Sequence, residues 1–101
     1  LYAGALKPDC IIDFATLTGA CIVALGPQIA GVMTRDDALA TRWLHAAAQI
    51  GEGMWRLPLP ESLFYMLESK IADMKNTGER WGGALTAGLF LEKFAKDQRW
   101  M

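Results

Sequence analysis

The chain has 101 residues, 52% of them apolar, with ten basic and eleven acidic side chains and a formal net charge of -1. An apolar share of that size supplies a hydrophobic core in composition if not in length, and basic residues scattered from Lys7 to Arg99 do not make the gathered, aromatic-lined face of a nucleic-acid interface. No run of about 18 apolar residues is free of charged or polar breaks, which excludes a membrane-spanning helix.

Leu1 to Leu6 is rich in Ala and Leu and reads as the end of a helix. Because the chain opens on Leu1 rather than Met, it is read as a segment of a longer polypeptide, incomplete at both ends. Lys7-Pro8-Asp9 stops that helix, since Pro8 disfavours helical geometry at Lys7 and has no N–H to donate. Cys10 to Phe14 is then a short apolar run of the kind that forms a strand buried on both faces. Asp13 near its end must be paired, hydrogen-bonded or neutral if buried, in either a structural or a site role. Thr16-Leu17-Thr18-Gly19 forms a polar bend, and Ala20 to Leu25 an apolar helical turn closed by Gly26.

In open α/β sheets, ligands sit in the crevice beyond the carboxyl end of a strand, where backbone groups and a helix start converge. The bend at Thr16 to Gly19 is the candidate binding edge on that ground. The carbonyls of Thr16 and Leu17 can accept from an amine or amide, and the N–H groups of Leu17 and Gly19 can hold a carbonyl oxygen or anion. The alternative is that the bend merely joins two buried elements.

Pro27 to Thr34 reads as a second strand with Ile29, Val32 and Met33 inside. Thr34-Arg35-Asp36-Asp37 resembles a capping box opening a helix over Asp36 to Ile50, with Leu39, Trp43, Ala46/Ala47 and Ile50 at helical spacing and Gly51 as its stop. Glu52 to Pro60 is a proline-punctuated extended connection, and Pro60 suits the first position of a short helix whose inner stripe is Leu63 with Met66 and Leu67. Ile71 to Asn76 alternates like an extended segment, and Asn76-Thr77-Gly78 is a turn. The last helix opens at Trp81-Gly82-Gly83-Ala84 and buries Leu85, Leu89, Phe90 and Phe94, with Lys93 and Lys96 at its C-terminal end. Trp100-Met101 begins another strand. With no repeat, linker or low-complexity stretch, residues 1–101 are assigned to one domain.

No catalytic constellation has diagnostic spacing. The single histidine, His45, lies on a helix with no acid at i+3 or i+4, Cys10 and Cys21 lack zinc spacing and read as reduced packing residues, and Gly19 to Gly26 lacks the Lys-Ser/Thr ending of a phosphate loop. Physical reading alone stops at an α/β segment with a strand-turn-helix ligand edge.

The run Ile11-Ile12-Asp13-Phe14-Ala15-Thr16-Leu17-Thr18-Gly19-Ala20-Cys21, followed by Ala24-Leu25-Gly26, resembles the catalytic domain of the leucyl aminopeptidases, the cytosol aminopeptidase family M17. Gly51-Glu52, Trp55 to Leu59, Ser69, Ala72-Asp73, Asn76, Gly83-Ala84, Thr86-Ala87 and Phe90-Leu91 continue the likeness in order along nearly the whole chain. The resemblance implies part of a mixed β-sheet flanked by helices, in a C-terminal catalytic domain of zinc-exopeptidase type. It further implies a cytoplasmic, typically hexameric exopeptidase that removes N-terminal residues from peptides with two divalent metal ions, zinc or manganese.

Carried over by that likeness, Thr16 and Gly19 border the pocket for the first side chain. The Leu17 carbonyl accepts from the substrate amide, the Gly19 N–H binds the next carbonyl oxygen, and the Leu17 N–H lies beside a bicarbonate site. Thr77 stands where the family often places an apolar contact to the residue after the cut. The family's metal- and anion-binding stretch, Asn-Thr-Asp-Ala-Glu-Gly-Arg, is expected upstream of Leu1, so residues 1–101 alone are expected neither to bind the metal pair nor to hydrolyse peptides. A non-catalytic assembly or binding module of the same fold, and an unrelated nucleotide-binding α/β domain, are the competing readings.

Overall fold

The computed structural model describes residues 2–95 and 97–101. Lys96, expected at the C-terminal end of the last helix, lies outside the described residues, as does Leu1. The elements in order are α1 (Tyr2–Ala5), α2 (Ala20–Leu25), β1 (Ala30–Val32), α3 (Asp37–Gln49), β2 (Met54–Arg56), a 3₁₀ helix (Glu61–Leu67) and α4 (Gly83–Phe94).

Strands β1 and β2 pair in parallel, with Ala30 opposite Met54 and Val32 opposite Arg56. α3 joins them, as the crossover between parallel strands requires. Gly53 permits the close start of this pair: a Cβ there would lie 2.7 Å from the Gln28 carbonyl oxygen, a backbone atom with little freedom to give way. A second parallel contact joins Ile11 to Trp100. Its ladder runs Ile11 N–H to Arg99 O (2.7 Å), Met101 N–H to Ile11 O (3.0 Å) and Asp13 N–H to Met101 O (2.8 Å).

The α/β expectation holds, and a helix layer covers each face of this small sheet. On one face Leu59, Leu67, Leu89, Ala95 and Trp100 form a buried cluster, bringing α4 and the 3₁₀ helix together. On the other, Val32, Leu39 and Met101 are buried with Trp43, Leu44 and Met54 packed against them, under α3. Trp100 and Met101, neighbours in sequence, enter opposite clusters, as side chains of a strand buried on both faces must.

Several local expectations are corrected. Cys10 to Phe14 is extended but pairs along one edge only, and Ile12 and Phe14 are exposed. Asp13 is exposed too, so its carboxylate needs no buried partner. Of the strand expected over Pro27 to Thr34, only Ala30–Val32 pairs, and Ile29 is 40% exposed. Conversely, Met54–Arg56 is a strand where only a connection was expected. Pro60 caps a 3₁₀ rather than an α-helix. Ile71 to Asn76 is not extended: the Ser69 hydroxyl accepts from the N–H groups of Ile71 (3.3 Å) and Ala72 (3.1 Å) and folds the chain locally, leaving Ile71 98% exposed.

The start of α3 also differs from its expected capping box. Asp36, not Thr34, is the N-cap, with Oδ1 accepting from Leu39 N–H at 2.8 Å. Thr34 is buried instead and works as a link: its hydroxyl donates to the Trp100 carbonyl (2.6 Å) and accepts from Asp36 N–H (3.1 Å). Ion pairs surround the junction. Arg99 meets Asp36 and Arg56 meets Asp37, each at 2.6 Å, while Arg35 binds Glu92 on α4 through two nitrogens at 2.6 and 3.0 Å.

The Leu39 N–H and then the Arg99 guanidinium hold the Asp36 carboxyl below the usual carboxylate range. A carboxyl whose folded-state pKa is depressed contributes stability above its unfolded value of about 3.9, and that contribution is lost as pH falls through the lower folded value. Asp36→Asn retains a capping oxygen but no titrating charge. Its melting temperature is therefore expected to fall less steeply than that of the wild type when pH is lowered below about 4, and parallel acid limbs for the two proteins would contradict the assignment.

Candidate functional site

The bend after Asp13 opens onto a cleft of about 370 Å³. Ile12 to Thr18 form one wall, Ala30 to Met33 the other, and Ala84, Ala87, Gly88 and Leu91 of α4 the floor, with Trp43 and Met54 on the α3 side. The lining is mostly apolar, Asp13 being its only charged residue. The Trp43 indole N–H donates to the Met54 sulfur at 3.2 Å, and the Phe14 ring lies 6.2 Å from the Trp43 ring.

The bend is set locally. The Thr18 hydroxyl accepts from Ala20 N–H at 3.1 Å, and the Gly19 carbonyl accepts from Val23 N–H at 3.3 Å, so α2 begins immediately after it. Gly19 is the N-cap of α2 with φ -77° and ψ -4°, and a Cβ built there meets nothing within 4 Å. Thr16, Leu17 and Gly19 are all exposed. Among the described residues, neither the Leu17 nor the Gly19 N–H is engaged in a hydrogen bond.

The expected site residues are only partly brought together. Thr16 and Leu17 line the cleft, whereas Gly19 lies just past its rim at the start of α2. Thr77 is exposed in the loop before α4 and does not line the cleft, its hydroxyl 3.4 Å from the Gly78 carbonyl oxygen. That loop is pressed onto α4, since a Cβ at Gly78 would lie 3.1 Å from the Thr86 side chain.

Sequence reasoning missed the face that α4 turns to the cleft. Ala84, Ala87, Gly88 and Leu91 stand at i, i+3, i+4 and i+7, a helical stripe recognisable by spacing but inconspicuous because three of its four residues are small. Leu89 is fully buried as expected, while Phe94 remains 42% exposed.

Among the described residues no group of three or more His, Cys, Asp or Glu side chains could hold a metal ion. A second, more polar cavity of about 630 Å³ is lined by Arg35, Asp36, Glu92 and Arg99, but both arginines are already neutralised by carboxylates. Lys93, also on its wall, sits over the Phe64 ring at 5.5 Å. No helix among the described residues is long and apolar enough to cross a membrane.

Comparison with known proteins gives a consistent result. A family model described as the cytosol aminopeptidase family, catalytic domain, matches residues 1–101. A probable cytosol aminopeptidase of a Cyanothece species is 54% identical over 100 residues, covering 99% of this chain and 20% of that protein. One from Trichormus variabilis is 55% identical over the same shares of the two chains. Among solved structures, a lysine-to-glutamate mutant of tomato leucine aminopeptidase superposes with a TM-score of 0.94 at 47% identity, covering 98% of this chain and 20% of that one. The chain thus spans about a fifth of the length of the relatives it matches. Matched along its whole length and more than half identical to these relatives, the chain belongs to the cytosol aminopeptidase family, within the catalytic domain.

Proposed function

We propose that the protein is a metal-dependent aminopeptidase releasing N-terminal, leucine-type residues from peptides, and that residues 1–101 are part of a single C-terminal catalytic domain. The observation that carries this is the match of all 101 residues to the family's catalytic domain, joined to an exposed bend with free backbone donors at the rim of a cleft. In this reading Thr16 and Gly19 border the pocket for the first side chain. The Leu17 carbonyl accepts from the substrate amide, and the Gly19 N–H donates to the next carbonyl oxygen. The Leu17 N–H faces a bicarbonate anion, and Thr77 flanks the residue after the cut. Support comes from the exposure of all four residues and from the N–H groups of Leu17 and Gly19 left free for a ligand.

The described residues do not fit a metal site. Two divalent ions, zinc or manganese, would be held by residues outside these 101 positions and would supply an activated water and a polarised carbonyl. The residues of this chain bind and orient the peptide backbone. Further parts of the proposal are a homohexameric assembly and a cytosolic location, the latter in keeping with the names of the relatives.

The test is hydrolysis of leucine p-nitroanilide by the full-length protein. Turnover is expected, at least about 100-fold suppressed by a chelator and restored by manganese or zinc, since without the metal the water loses its activation. A metal-replete protein with no turnover on any aminoacyl anilide would overturn the proposal.

A further inference from the structure

The Gly19 N–H is a donor on a sparsely restrained piece of chain. Glycine has no Cβ to narrow its conformations, and nothing lies within 4 Å of the position a Cβ would take here, so side-chain packing does not hold the residue. Among the described residues, no backbone group from Phe14 to Thr18 takes part in a hydrogen bond. A donor that must meet a ligand from one direction needs some other restraint.

Two hydrogen bonds act around Gly19. Its carbonyl accepts from Val23 N–H at 3.3 Å, which orients the peptide between Gly19 and Ala20. The Gly19 N–H belongs to the preceding peptide, between Thr18 and Gly19, a rigid plane that can pivot about its flanking single bonds while the next plane stays in place. Among the described residues, one bond spans that pivot: the exposed Thr18 hydroxyl accepts from Ala20 N–H at 3.1 Å. The ring it closes runs through the Thr18 Cβ and Cα, the Thr18–Gly19 peptide and the Gly19 Cα. It therefore ties down the φ of -77° and ψ of -4° at Gly19, and with them the direction of the Gly19 N–H. The Leu17 carbonyl lies outside this ring.

We propose that Thr18 is a positioning residue, whose hydroxyl holds Ala20 N–H and thereby aims the Gly19 N–H at the carbonyl oxygen of the peptide residue after the cut. The inference rests on the aminopeptidase reading given above and adds to it a side chain to which that reading assigns no role. It also divides substrates into two kinds. A peptide such as Leu-Gly-Gly has a carbonyl beyond the scissile bond for Gly19 to meet. Leucine p-nitroanilide has none, and its amide meets only the Leu17 carbonyl, which the Thr18 ring does not restrain.

The test compares Thr18→Val, which keeps the shape of the side chain and removes the acceptor, with Thr18→Ser, which keeps the hydroxyl, both in the metal-loaded full-length protein. Thr18→Val is expected to lose about 5- to 10-fold in kcat/KM on Leu-Gly-Gly, the scale of one neutral hydrogen bond, and to stay within about 2-fold of the wild type on leucine p-nitroanilide. Thr18→Ser is expected to match the wild type on both. Equal losses on the two substrates, no loss on the tripeptide, or no rescue by serine would each overturn the proposal. So would a collapse of the melting temperature in Thr18→Val, which would make the hydroxyl a support of the fold. A wild type inactive on both substrates would instead strike the aminopeptidase reading itself, and this inference with it.

Discussion

Replacing Leu89 by alanine is expected to lower stability by about 2–5 kcal/mol, the cost of deleting a fully buried leucine and leaving a cavity. Leu89 has no exposed surface and sits where α4 meets Leu59, Leu67, Ala95 and Trp100. The neighbours cannot simply collapse into the space. Gly88 beside it is already in close contact with the Met33 sulfur and within 3.0 Å of Leu59, measured from the position a Cβ would take. Urea unfolding of the full-length protein reads the effect as a lower midpoint at an unchanged slope. Ile71→Ala is the internal control: at 98% exposure it should stay within about 0.5 kcal/mol of the wild type. Equal losses for the two variants would place the core elsewhere.

Gly19→Val should do the opposite, sparing the fold and impairing turnover. Nothing lies within 4 Å of a Cβ at Gly19, and its φ of -77° is open to any residue, so the melting temperature should not move. A branched side chain just past the cleft rim would crowd a bound peptide and hinder its approach to the Gly19 N–H. A loss of about 10- to 200-fold in kcat/KM is expected, on the scale of discrimination by one or two misplaced carbons. Unchanged kinetics on leucine p-nitroanilide and on a dipeptide would remove the bend from the substrate path.

Helices α3 and α4 were legible because each carries a period long enough to be unambiguous, and α3 has a marked stop in Gly51. Shorter elements were not. β2 consists of Met54, Trp55 and Arg56, too brief to show alternation, and it exists because β1 lies alongside. Thr34 and Asp36 are both good caps by type; the Asp36 carboxylate takes the Leu39 N–H, while the buried Thr34 hydroxyl accepts from Asp36 N–H and donates to the distant Trp100 carbonyl, a partner sequence spacing does not reveal. The bend at Thr16 to Gly19 was visible through its composition and family likeness. The space beside it was not, since Asp13, Gly31 and Gly88 meet only in three dimensions.

The paired acids that open α3 have unequal freedom to change. Asp37 meets Arg56 from an exposed position and its carboxylate has no other partner among the described residues, so neutralising it as Asp37→Asn should be tolerated. Asp36 does two things, since the carboxylate that meets Arg99 also accepts from the first turn of the helix. Swapping charges between positions 36 and 99 would keep the attraction yet put a cation against a helix start. An engineer redesigning this surface can neutralise Asp37 at little cost and must leave its neighbour alone.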